Sequence, residues 1–144
     1  MRRRIELLGV VLAAACADLN TAPTPSPPVA STLDVALAVG EGAQVDAMMR
    51  VAFGGVPADS RCPMTAMCIW GGDGAVAILH GLGTGPWYPD TLHTMLGPRS
   101  LIVQGGYRIT LLDLAPYPSS LDPIPADAYV ARLRVERLMI DRAP

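Results

Sequence analysis

Residues 33–53 read "LDVALAVGEGAQVDAMMRVAF", and the fold class turns on how this stretch alternates. Leu33, Val35, Leu37 and Val39 fall on every second position against smaller or polar neighbours, the period of a half-buried strand. Beyond the "GEGA" turn, Val45, Ala47, Met49, Val51 and Phe53 share one face, and Gln44, Asp46, Met48 and Arg50 share the other. The two runs are expected to lie side by side as antiparallel neighbours.

The same punctuation repeats further along the chain. Residues 67–70 and 75–82 are short apolar runs around "GGDG", after which "HGLGTGPWYPDT" breaks the pattern with Gly and Pro. Residues 91–96, 100–104 and 107–114 follow as candidate strands, parted by "GPR" and "GG". In 129–140, Arg132, Arg134 and Glu136 alternate with Ala131, Leu133 and Val135. The Ala, Leu, Arg and Glu of "ADAYVARLRVERLMI" also suit a helix, but the alternation and the β-branched Val130 and Val135 favour a strand. Seven or eight short strands joined by Gly and Pro turns predict an all-β domain: an antiparallel β-sandwich, immunoglobulin-like or jelly-roll-like. Residues 32–144, about 113 in number, have room for one core and not for two.

Ahead of this domain, "MRRRIELLGVVLAAAC" has a basic start, a short apolar run and small residues before Cys16, the order of a bacterial secretory signal. The run is too short to span a bilayer, which needs about 20 apolar residues. A cysteine directly after "LAAA" resembles the lipobox of bacterial lipoproteins, which implies cleavage of residues 1–15 and acylation of Cys16. Ala13 stands where that pattern most often has Leu, and Glu6 interrupts the early apolar run. Residues 16–31, rich in Pro, Thr, Ser and Ala and without hydrophobic period, read as an extended tether. Ala17, not Asp, follows Cys16, so the inner-membrane retention signal of some Gram-negative lipoproteins is missing. The expected location is the cell envelope, on the outer membrane where the cell has two.

Loss of residues 1–15 leaves eight arginines against twelve carboxylates, a net charge of about −4, with no lysine anywhere in the chain. The arginines are scattered, whereas phosphate contacts need a basic patch, so nucleic acid is not an expected partner.

Three cysteines are an awkward number outside the cytoplasm, where a spare thiol oxidises. The count resolves with lipid on Cys16 and a disulfide between Cys62 and Cys68. Pro63 favours a turn between that pair, and the oxidising compartment favours the bridge. The alternative is a soft-metal site, copper above all, drawing on Met64, Met67, His80 and His93 together with the thiols. A gap of five residues without a second cysteine pair is not zinc spacing.

Asp59-Ser60-Arg61-Cys62-Pro63, four residues, then Cys68, Trp70 and Gly71 before an alternating "AVAIL" resembles a motif of small secreted or lipid-anchored bacterial proteins. The resemblance covers about twenty residues closely and the remaining strands in outline. At "WGGDGA" the chain departs from the shorter W-x-G join of that pattern, which lengthens the turn. The resemblance implies fold and compartment and brings no activity or cofactor with it. In a structural reading, Asp59 or Ser60 caps the turn, Arg61 pairs with Asp59 or Asp73, and Trp70 covers the disulfide. In a functional one, Asp59, Arg61 and Trp70 form an exposed recognition patch for an envelope protein.

No catalytic constellation is expected. Ser60 has no histidine near it in sequence, and neither His80 nor His93 belongs to a nucleophile-elbow motif; both are expected at the surface or a sheet edge. The carboxylates sit singly in turns without a calcium-loop spacing, and "HGLGTG" has no lysine to hold phosphate. The reading is a non-catalytic binding or structural module that meets the membrane through its N-terminal lipid.

Overall fold

The computed structural model describes residues 32–139. The signal at 1–15, Cys16 and the tether to residue 31 lie outside the described residues. Eight strands are present: β1 (Thr32–Ala38), β2 (Gly42–Gln44), β3 (Met49–Asp59), β4 (Gly74–Leu82), β5 (Tyr88–His93), β6 (Ser100–Val103), β7 (Tyr107–Ala115) and β8 (Val130–Arg137). They form two four-stranded antiparallel sheets, β1-β8-β7-β6 and β2-β3-β4-β5, the expected β-sandwich. Round the two sheets the strand order follows the chain. The connectivity is therefore an up-and-down meander and lacks the Greek keys of immunoglobulin-like or jelly-roll sandwiches.

Alternation builds the core. Met49, Val51 and Phe53 of β3 and Val76 and Ile78 of β4 face Ile109 and Leu111 of β7 and Ala131, Leu133 and Val135 of β8, all buried. Burying each of the larger side chains contributes about 1.5–3 kcal/mol. A register shift in β7 between Leu111 and Asp113 changes the parity, so that Leu114 turns inward and Asp113 stays in solvent. Residues 130–137 are a strand with no helical turn, as their alternation requires.

Four sequence expectations are corrected. Residues 33–39 and 44–53 are not neighbours: β1 pairs with β8, and the turn after it carries the chain across to the other sheet. Nor is 44–53 one strand. The Asp46 carboxylate accepts from the backbone N–H groups of Met48 and Met49, each at 2.8 Å, and this side-chain turn splits it into the β2–β3 hairpin. Residues 67–70 are loop and largely exposed, and β5 starts at Tyr88, earlier than the expected 91. Pro89 is tolerated there because β5 is an edge strand.

The meander sorts the connections between two ends. Residues 45–48, 83–87 and 104–106 join strands at one end, where Thr32 of β1 also pairs with Glu136 of β8. Residues 60–73, 94–99 and 116–129 join strands at the other end. Strand lengths put the two ends roughly 30 Å apart.

Candidate functional site

The loops at 60–73, 94–99 and 116–129 are tied together by two polar hubs. At the first, Arg61 Nε and Nη2 donate to the two oxygens of Asp59, at 2.9 and 2.7 Å, a two-pronged charge-assisted pair. Arg61 Nη1 also donates to the Leu114 carbonyl at 2.6 Å, and Nη2 to that of Pro116 at 2.9 Å. Tyr129 OH reaches the Asp59 carboxylate at 2.9 Å, and the Tyr117 ring lies 5.3 Å from the guanidinium. Burial would raise the Asp59 carboxyl, but Arg61 and Tyr129 outweigh it and hold it below its ordinary range. Arg61 is 7% exposed, and its donors are spent on closing the end of one sheet against the other.

Asp73 is the second hub. It accepts from His93 Nδ1 at 2.6 Å, from Thr94 Oγ1 at 3.0 Å and from the Met95 and Leu96 N–H groups at 2.8 and 3.3 Å. Burial pushes this carboxyl up, yet the bonds from His93, Met95, Thr94 and Leu96 prevail and bring it from 3.8 down to about 2. The 94–96 turn is thereby fixed against the start of β4, where Thr94 Oγ1 accepts from Gly74 N–H at 2.7 Å.

Between the hubs runs the stapled loop. Cys62 and Cys68 form the expected disulfide, with an S–S distance of 2.09 Å. Cys62 N–H donates to the Gly71 carbonyl at 2.9 Å, and Met64 N–H to that of Pro118 at 3.0 Å. Gly72 has a φ of +72°, and a β-carbon there would collide with the Ser60 carbonyl oxygen. Only glycine closes this loop.

These fixed loops display apolar side chains to solvent. Met64, Met67, Ile69 and Trp70 are exposed on the stapled loop, Met95 and Leu96 on the turn beside it. A β-carbon on Gly71 would come within 3.2 Å of Met95 Cε, so the two groups adjoin. Tyr117 and Leu121 extend the surface along the third loop. Residues 62–72, 94–98 and 114–121 contain no Asp, Glu, Lys, Arg or His. An open cleft of about 450 Å³ flanks this surface, lined among others by Val56, Asp59, Leu121, Ile124 and Tyr129.

The recognition trio predicted from sequence is thus divided. Asp59 and Arg61 turn inward on each other, while Trp70 is about half exposed. Of the two partners considered for Arg61, Asp59 is the one it takes, and Asp73 belongs to His93. Tyr129, the carbonyls of Leu114 and Pro116, and the gathering of bonds on Asp73 were not legible, since none lies near its partner in sequence.

The soft-metal set is divided too. His93 pairs with Ala75 across β4 and β5, and His80 lies five positions further along β4, roughly 17 Å away. His80 is buried, not at the surface as expected: it lies on the inner face of the central strand β4, donates from Nε2 to Asp90 at 2.8 Å, and stacks on Tyr88. Met64 and Met67 belong to the stapled loop, at the His93 end. Among the described residues no three His, Cys, Asp or Glu side chains converge as a metal cluster would require.

Neither family models, curated proteins nor solved structures offer a match to this chain.

Proposed function

We propose that the chain is a lipid-anchored, non-catalytic module of the bacterial cell envelope that binds through the apolar surface at one end of its sandwich. That surface carries the reading. Monomeric exported proteins seldom leave a contiguous uncharged apolar patch in water unless something covers it. Three loops devote two polar hubs and a disulfide to holding this one in place. The anchor is supported by the lipobox-like "LAAAC" and the tether composition, with the outer membrane the destination in a two-membrane cell. The charge of the mature chain and its scattered arginines argue against nucleic acid as a partner.

Intact mass of the full chain purified from bacterial membranes tests the anchor. The expected product begins at Cys16 and carries the mass of attached acyl chains, and Cys16→Ser loses them. An unmodified cysteine on a water-soluble product would rule out the lipid anchor.

A further inference from the structure

We infer that the apolar end of the sandwich is a second membrane-contacting site, a wedge that seats in the headgroup and upper acyl region of a bilayer. The inference rests on the proposal that the chain works at a membrane and names what its binding surface touches.

Shape argues for lipid. Met67 and Ile69, on either side of Cys68, are 103% and 104% exposed, as open as in an extended chain. They stand proud of the domain, where a protein partner would need two matching pockets and fluid acyl chains need none. Charge argues the same way: the stretches 62–72, 94–98 and 114–121 carry no charged side chain, so they can enter the headgroup layer without stripping water from an ion. Asp122 and Asp127, further along the third loop, stay in solvent. Trp70 and Tyr117, each about half exposed, are the residue types that settle at the membrane boundary. Order argues for it as well. The loop is set by the disulfide, by Cys62 to Gly71 and by Met64 to Pro118, so little conformational freedom is lost on insertion. Backbone groups of the loop cannot enter hydrocarbon unpaired, which limits the contact to side-chain depth.

Reach permits it. The chain enters β1 at the end opposite the wedge, roughly 30 Å away. The fifteen residues between Cys16 and Thr32 can span about 50 Å when extended.

The test uses the acylated protein with Trp87→Phe, leaving Trp70 as the only tryptophan. It is incorporated into vesicles of zwitterionic phosphatidylcholine, with or without bromine on the acyl chains. The expected result is a blue-shifted Trp70 emission that brominated lipid quenches and added salt does not reverse. Adding Met67→Asp and Ile69→Asp should weaken quenching about tenfold or more, with flotation and the melting curve unchanged. Water-like, unquenched Trp70 emission in protein that floats overturns the wedge, as does quenching that the double substitution leaves intact. So does a concentration-dependent dimer that the double substitution dissolves, which would assign the surface to a second copy. Protein that lacks acyl chains removes the anchor instead. The same vesicles added to it from outside then decide the wedge by the same two readouts.

Discussion

Arg61 holds the two sheets together at one end through Asp59, Leu114 and Pro116, so its truncation strands a carboxylate and two carbonyls. Arg61→Ala should cost about 3–5 kcal/mol in urea unfolding. Arg61→Lys should restore little, since an ammonium cannot reproduce the fork. Asp73 sets an acid limit. Its carboxyl titrates at about 2 in the fold against 3.8 unfolded, so its contribution is whole above pH 4 and fades as pH falls towards 2. The difference amounts to about 2 kcal/mol. Melting temperature should drop across that window, and Asp73→Asn should start lower at pH 7 and fall less steeply. Glycines give a paired test: Gly72→Ala meets the Ser60 carbonyl and should cost several times more than Gly83→Ala, which has positive φ but open space. Sequence spacing could nominate Asp59 and Arg61 as partners two residues apart. It could not nominate Tyr129, seventy positions away, because that contact exists only once both sheets have closed.

Strands were legible where alternation was strong and long. The expected strands at 75–82 and 107–114 match β4 and β7 to within one residue, and the one at 129–140 contains β8 but runs past its end at Arg137, because one face of each must be buried. Alternation failed where a side chain takes over the backbone. Asp46 bends a pattern that reads as continuous strand, and the apolar run at 67–70 is surface loop because its side chains face outward from a stapled turn. Pairing partners were not legible at all, since period two says which face is buried and nothing about which strand lies alongside. The staple itself acts locally. Closing seven residues contributes about 2 kcal/mol on the chain-entropy account. Reduction should lower stability by that amount while the far-ultraviolet signature of the sheets persists below the new midpoint.

For the molecule as a whole, stability and the apolar end are separable. Leu133 is fully buried between the sheets, and Leu133→Ala should cost about 2–5 kcal/mol. Ile69→Ser, outside the core, should stay within about 0.5 kcal/mol. Equal losses in urea unfolding at the two sites would mean that the exposed loop is part of the cooperative core. The pairing of the first strand with the last has a consequence in time. Asp34 and Arg134 meet across a separation of 100 residues, so β1 has no partner until β8 has been synthesised. The β2–β5 meander is made of near neighbours and can pair locally, whereas β1 finds its partner in the sheet only through a contact that spans the domain. Such a sandwich cannot be completed on a nascent chain that still lacks β8, so the final closure has to follow synthesis instead of accompanying it.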